Sequence, residues 1–359
     1  MWPYWLLFGL MAFMAIAAQR PKPIGNGAYP APHVGFTWSI YFVLLVLMIG
    51  LRYEVGGDWS TYEEHVSNMW RAPMREIFNY SDIAYGLLNW IGANIGGDVY
   101  FVNTVSAILF CWGLFVFCRA QPQPWLAMLV AVPYLIVVVA MGYTRQGVAI
   151  GLAMIAIIRL SEGRMTAFLA WIAFAALFHK SAVILVPFAV FANTKNKYFK
   201  YISAGSLVFV LFSILIQQNL SFYLENYIGE GLESTGAGIR IAMNAVPAVL
   251  LLLLAGRMGF SSESRGFWLF MALGAIMFVP VLILSPSSTA VDRLALYWIP
   301  LQVLVLSRIP DALGAPGKVN IFWAILVILY SGSVMAVWLL FASHSSYWLP
   351  YEFYPSVAL

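Results

Sequence analysis

Residues 35–65 read GFTWSIYFVLLVLMIGLRYEVGGDWSTYEEH. The first 17 of them, residues 35–51, carry no charge, the short end of the roughly 17–25 residues that an apolar helix needs to cross a bilayer. The run stops at Arg52, and Glu54, the pair Gly56–Gly57, Asp58, Glu63 and Glu64 follow at once. An aspartate after two glycines suits a helix N-cap, and Ser60 with Glu63 has capping-box spacing. The stretch therefore predicts a membrane span that ends in a polar turn and a newly started helix.

The same pattern of apolar blocks recurs along the whole chain. Hydrophobic residues make up 62% of the sequence and charged residues 9%, with a mean hydropathy of +0.84. Soluble domains run at roughly 45–50% apolar and about 25% charged. The fold class is therefore all-α, a polytopic integral membrane bundle. Spans are predicted at 2–18, 35–51, 98–118, 124–141, 145–160, 165–179, 181–193, 200–217, 240–256, 266–285, 292–308 and 319–342, about 12 transmembrane segments in one membrane domain over residues 1–359. The first stretch lacks the positive n-region of a cleavable signal peptide and reads as a retained span.

The 19 basic residues are scattered between spans rather than gathered in a patch, so the net charge of +4 gives no reason to expect nucleic acid. Cys111 and Cys118 are the only cysteines and sit in one apolar block, which reads as two small residues facing lipid or a neighbouring helix.

Charge sets the expected orientation, because loops rich in Lys and Arg stay cytoplasmic. With both termini outside, the inner loops hold 12 of the 19 basic residues and 3 of the 15 acidic ones, leaving 7 basic and 12 acidic residues outside. The stretch FLAWIAFAALFHKSAVILVPFAVFA is long for one span and short for two. Parity makes it a short helix pair or a re-entrant hairpin with His179, Lys180 and Ser181 at its outer tip. Two outer segments exceed a turn. Residues 52–97 include an expected interfacial helix carrying Tyr85, Leu88, Trp90 and Ile91, and residues 218–239 are acidic, end in a glycine-rich turn and suit a mobile lid.

Arg52, Arg145, His179, Arg240 and Arg293 share one depth on this outer face. Each alone suits a snorkelling anchor, but anchors are favoured on the opposite, cytoplasmic side. As a set they suit an anion site, because converging guanidinium forks match phosphate oxygens and can hold a pyrophosphate without a metal. No D-x-D or H-E-x-x-H occurs, and no G-x-S-x-G, so neither a metal, a cofactor nor a serine nucleophile is expected. His179 fits a general base that takes a proton from a sugar hydroxyl, with Asp58 second. A buried structural histidine and a simple helix cap are the plain alternatives for these two residues.

In order, RYEVGGDWSTY after an early span, TRQGVAI opening a middle span, LFHKSA, and DRLALY near the C-terminus resemble the EpsG-like branch of the Wzy polysaccharide polymerases over roughly residues 40–300. The resemblance implies a GT-C-like membrane glycosyltransferase in the cytoplasmic (inner) membrane. Its substrates would be undecaprenyl-pyrophosphate-linked oligosaccharides, donor and acceptor alike, polymerised outside the cytoplasm into exopolysaccharide, capsule or O-antigen. Flippase and chain-length-regulator proteins would be its partners beside membrane lipids. Carried over by motif, Arg52 and Asp58 belong to the first, Arg145 and Gln146 to the second, His179 and Ser181 to the third, and Arg293 with Tyr297 to the last. Arg240 is added from its depth alone, and Gly57 departs from the threonine that many relatives place before the aspartate. A lipid-linked oligosaccharide flippase, a membrane O-acyltransferase and an O-antigen ligase are the rival readings. A flippase should show midplane charge and repeat symmetry, which this sequence lacks, an acyl-CoA donor would arrive on the wrong side, and the ligase differs only in acceptor.

Overall fold

The computed structural model of the protein describes residues 1–21, 35–189, 236–285 and 287–357. The expected span 200–217, residues 190–193 of the expected span 181–193, the lysines Lys22, Lys195, Lys197 and Lys200, and all but the last residues of the expected lid at 218–239 lie outside them.

In continuous apolar blocks a helix satisfies every backbone polar group internally, and almost every described element is one. Six are long and apolar enough to cross a membrane: Asp98–Arg119, Thr144–Ser161, Ala237–Arg257, Ser264–Leu284, Ser288–Leu313 and Ile321–Phe341. Four more are apolar but shorter: Trp2–Ala17, Phe36–Gly50, Pro124–Ala140 and Met165–Ala176. These ten coincide with ten of the expected spans. In chain order the helices are α1 (Trp2–Ala17), α2 (Phe36–Gly50), α3 (Trp59–Ser67), α4 (Ile83–Ile95), α5 (Asp98–Arg119), α6 (Pro124–Ala131), α7 (Thr144–Ser161), α8 (Met165–Ala176), α9 (Ala237–Leu254), α10 (Ser262–Leu284), α11 (Ser288–Ala295), α12 (Ile299–Leu313) and α13 (Ile321–Phe341). α6 continues as a π-helical run over Val132–Ala140.

The expected span 181–193 starts differently from a regular span. After α8 the backbone of His179 is extended (φ −159°), and Lys180–Leu185 forms a 3-10 turn ahead of the short helix Val186–Ala189. α8 itself has 12 residues, about 18 Å of rise against a hydrocarbon core of about 30 Å.

The core lies where α5 and α7 cross. A Cβ on Gly113 would run into the carbonyl of Gly151, and one on Gly151 into the backbone of Phe110. Only hydrogen side chains allow this approach, the small-residue packing that replaces hydrophobic driving force between helices in lipid. Cys111 and Cys118 are fully buried free thiols on α5, facing helices rather than lipid. By contrast α13 keeps Phe322, Leu329, Leu340 and Phe341 exposed, as a lipid-facing helix should.

The expected helix in the first outer segment is α4, with Tyr85, Asn89 and Ala93 buried on one side and Leu87 and Ile95 exposed on the other. α3 begins directly after Asp58, but no side chain caps it. The expected cap and capping box are not formed, so the Asp58 carboxylate is left for other use.

Both chain ends reach this face. Tyr4 Oη donates to the carbonyl of Trp348 (2.9 Å). Arg52–Tyr53 pairs antiparallel with Glu352–Phe353, and Gly56 N–H donates to Tyr347 O (2.9 Å). The Trp348 indole is buried and donates to Val137 O in the π-helical run (2.7 Å), so the C-terminal residues strap the 51–57 turn onto the bundle. At the opposite end, the Gln123 amide donates to the backbone of Arg20 and to Asp311, and Arg308 donates to Gln121 and to Met258 O.

Candidate functional site

Arg52 follows α2 and is fully buried. A buried guanidinium is tolerable only if its donors are satisfied. Here Nε donates to Val55 O (3.0 Å), Nη1 to Ile49 O (2.5 Å), and Nη2 to Asn103 Oδ1 (3.3 Å) and Thr144 Oγ1 (2.9 Å). The expected pyrophosphate contact is thus occupied by protein, and its work is to close the 49–55 turn and tie it to α5 and α7. Gly56 makes that turn possible, with φ +113° and the Met141 carbonyl where a Cβ would stand. A side chain there would be both strained and blocked.

Two residues of the segment 52–97 thus hold the start of α7. Arg52 grips the Thr144 hydroxyl, and Tyr62 Oη accepts the Thr144 N–H (3.0 Å), one of the donors that a helix N-terminus leaves without an internal partner. The next residue, Arg145, sits where the helix dipole disfavours a cation. Asp82 offsets this: Arg145 Nη1 to Asp82 Oδ2 is 2.9 Å, with the Arg145 side chain 30% exposed and that of Asp82 only 5%.

Asp58, directly before α3, and His65 on α3 lie seven residues apart. Burial raises the Asp58 carboxyl above its ordinary value, opposed by the charges of Arg293, Arg145 and His65. Burial likewise lowers His65, helped by Arg145 and opposed by Glu64 and Asp58. Its Nδ1 is buried without a partner among the described residues. Tyr62 and Tyr80 flank the ring edge-on, at 6.4 and 5.5 Å between centroids.

His179 arrives from the other side, beyond the end of α8. Its Nδ1 hydrogen-bonds Ser181 Oγ, and Ser181 Oγ donates to Tyr297 Oη (3.1 Å). When Ser181 donates to the tyrosine, Nδ1 carries the proton that it gives to Ser181. Nε2, which no described residue hydrogen-bonds, then keeps its lone pair. Burial pushes the imidazole below its ordinary pKa; Asp82 opposes that shift, while Arg145 and Arg293 add to it. Tyr297 is fully buried and serves this chain of hydroxyls rather than an open sugar-stacking face.

Arg293 on α11 is exposed, with its guanidinium 5.7 Å from the Tyr143 ring centroid and no carboxylate paired to it among the described residues. Gln146 does not face outward. Its amide donates to the backbone carbonyl of Arg293 (2.6 Å), which fixes α11 against the start of α7. Arg240 on α9 makes a two-pronged ion pair with Asp292, at 2.8 Å from Nε and 2.7 Å from Nη2.

Arg145, Arg293, Asp58, His65, Asp82 and His179 thus share one electrostatic cluster. Arg52, Gln146 and Tyr297 brace it, and Arg240 joins it through Asp292, the neighbour of Arg293. An apolar groove of about 580 Å³ between α9 and α13 has Arg240 and His344 among its lining residues, with Met243, Val246, Val334 and Val337 further along. Among the described residues no group of three or more His, Cys, Asp or Glu side chains is placed to hold a metal ion.

A family model of the EpsG family matches residues 35–353. The chain belongs to the EpsG family. That family is Wzy-type and polymerase-like, and with the apolar helices it makes the chain a membrane-embedded protein with a polysaccharide-polymerase-like role. No curated protein and no solved structure is similar enough to match.

Sequence reasoning about this EpsG-family chain missed Asp82, His65 and Asp292. Asp82 precedes an amphipathic helix and reads as an ordinary N-cap, although its side chain caps nothing. His65 lies in a polar stretch where a surface residue is expected. The missed signal was its spacing from Asp58, seven residues on a helix that begins between them. Asp292 stands inside DRLALY directly before Arg293, and its pairing with Arg240 spans 52 residues.

Proposed function

We propose that the protein polymerises undecaprenyl-pyrophosphate-linked oligosaccharide repeat units, as a glycosyltransferase acting on the outer face of the cytoplasmic membrane. The observation that carries this reading is the pairing of Arg293, a cation with no described carboxylate on it, with His179, a histidine whose Nε2 is open, in one cluster on one face. The cations supply what a pyrophosphate leaving group needs, fixed positive charge where negative charge develops. The imidazole supplies what the acceptor sugar needs, a base that is neutral at physiological pH.

In the reaction, His179 Nε2 takes the proton of the acceptor hydroxyl as the hydroxyl oxygen bonds to the anomeric carbon of the donor. The bond from that carbon to the pyrophosphate oxygen breaks, and undecaprenyl pyrophosphate leaves with the electron pair, held by Arg293 and Arg145. Ser181 and Tyr297 hold the imidazole in the tautomer that leaves Nε2 free. Arg52 and Gln146 act one layer below, by fixing Thr144 and the backbone of Arg293. Asp58 is placed to receive a second sugar hydroxyl or to replace His179 as base. The apolar groove between α9 and α13 suits the prenyl tail, with the Arg240–Asp292 pair toward its polar end. The step as written needs no metal. Tyr and Trp residues at the outer rim suit the glycan, and neighbouring flippase and chain-length-regulator proteins would supply donor and set length.

The test is a proteoliposome loaded with a fluorescent lipid-linked repeat unit. Lengthening of the glycan supports the polymerase. Transfer of the label between leaflets with no lengthening would show a flippase instead.

A further inference from the structure

Asp82 is sealed into the protein while its partner is not. The carboxylate residue is 4% exposed, yet it holds Arg145, whose side chain is 30% exposed. The ion pair uses Oδ2 alone, and no described residue hydrogen-bonds Oδ1. The same carboxylate acts electrostatically on His179 and on Tyr297. The backbone holds this arrangement in place: Ala84 N–H, two residues after Asp82, donates to Leu177 O (3.0 Å), two residues before His179. Asp82 therefore acts both on the cation that would meet the donor and on the imidazole that would take the proton.

We propose that Asp82 is a positioning residue with two successive partners: it latches Arg145 in the empty site, releases it to an incoming pyrophosphate, and then serves as counter-charge to the His179 imidazolium. The base is thereby strengthened only when the donor is in place. This rests on the polymerase reading above for its substrate, though not for its electrostatics.

The charged groups facing His179 come from each element packed on it. They are Asp82 ahead of α4, Arg145 at the start of α7, and Arg293 on α11, with the neutral hydroxyls of Ser181 and Tyr297; Lys180, next in sequence, is exposed. In the empty site two cations disfavour protonation of the imidazole and one carboxylate favours it, and that carboxylate is partly neutralised by Arg145. A pyrophosphate bound to Arg145 and Arg293 cancels both cations and leaves Asp82 facing His179. Protonation then becomes easier, so the imidazole is a stronger base at the moment a hydroxyl must lose its proton. Reciprocity requires that a protonated His179 also favour the anion. The latch has a cost as well, since Arg145 must leave Asp82 before it can bind phosphate.

Two readouts follow that a merely structural carboxylate would not move. In steady-state assays, Asp82→Asn should lower kcat by about ten-fold and lower the donor KM at the same time, because the latch and the counter-charge are lost together. Asp82→Glu should restore much of kcat. Independently of turnover, the four histidines can be followed by NMR in the full chain in nanodiscs, with His179 assigned from His179→Gln and inorganic pyrophosphate as the probe. Pyrophosphate should raise the His179 titration midpoint by about one pH unit in the parent protein and by less than half of that in Asp82→Asn. Should Asp82→Asn fail to fold, Arg145→Gln provides the check: it should raise the midpoint with no anion added.

A pyrophosphate shift that is equal in the parent and Asp82→Asn overturns the proposal, as does an unmoved midpoint in Arg145→Gln. If the protein lengthens glycan while pyrophosphate leaves His179 unmoved, the inference fails and the polymerase reading stands. If the shift depends on Asp82 but no glycan is lengthened, the inference stands and the polymerase reading fails.

Discussion

Arg52 Nη2 donates to Thr144 Oγ1 at 2.9 Å, across 92 residues of sequence. The bond joins the turn after α2 to the first residue of α7, and it fixes where Arg145 emerges. Charge patterning leads one to expect both Arg52 and Arg293 on the outer face, but the structure gives them opposite surroundings. The first is fully buried with four hydrogen bonds, and the second is exposed with no described carboxylate. That difference separates two kinds of defect.

Arg52→Gln should behave as a stability variant. It leaves several of the buried acceptors at Ile49, Val55, Asn103 and Thr144 without a donor, at about 1–3 kcal/mol for each group stranded. A clear fall in the thermal midpoint is expected, read by tryptophan fluorescence in detergent, with Arg52→Lys only partly better because lysine lacks the fork. An unchanged midpoint in both variants would contradict the buried clamp.

Arg293→Lys should do the reverse. The side chain touches little, so its thermal midpoint should stay near that of the parent, as surface substitutions do. Its rate should fall by roughly ten- to a hundred-fold, the loss of about 1.5–3 kcal/mol for one charge-assisted fork on the leaving pyrophosphate. Full activity in Arg293→Lys would mean that a charge, rather than a fork, is all the site requires.

The imidazole sets the pH dependence. Its pKa in the free protein is depressed by burial, so the neutral, proton-accepting form already prevails at pH 7 and is lost only on acidification below the ordinary imidazole value near 6.5. The acid limb of kcat/KM should therefore fall below that value. Tyr297→Phe removes the far end of the hydroxyl chain and should lower the plateau severalfold, because the tautomer that frees Nε2 is less firmly held. An acid limb above pH 6.5, or one unchanged in His179→Gln, would show that another group titrates.

Topology is open to cysteine labelling because both native thiols are buried. Ser60→Cys and Arg164→Cys introduce exposed positions at opposite ends of the bundle. An impermeant maleimide added to intact cells should label position 60 and spare position 164. The opposite pattern would invert the orientation and place the cluster in the cytoplasm.

Much of the fold was legible because apolar blocks of near-bilayer length have few alternatives, and α5, α7, α10 and α13 all fall where hydropathy puts them. The stretch after α8 was harder: Leu177–Leu185 is short, and whether it becomes a regular helix or a 3-10 turn depends on packing against α7 and α8 rather than on composition. For the site, the sequence offered depth and residue type but not who satisfies whom. Arg52 and Arg293 look alike in one dimension, and only the positions of Ile49, Val55, Asn103 and Thr144 distinguish them. Asp82 was hidden by an ordinary role, since an aspartate before a helix calls for no further explanation. Gln146 and Tyr297, placed in the site by their motifs, proved to brace it from beneath.

The most direct test of the central claim is to incubate the purified protein in detergent with an undecaprenyl-pyrophosphate-linked repeat unit and a chelator, and to resolve the products by length. The account predicts a ladder with matching release of undecaprenyl pyrophosphate in the parent, and its loss in His179→Gln at an unchanged thermal midpoint. Absence of a ladder from folded parent protein, or an equal ladder from His179→Gln, would contradict it.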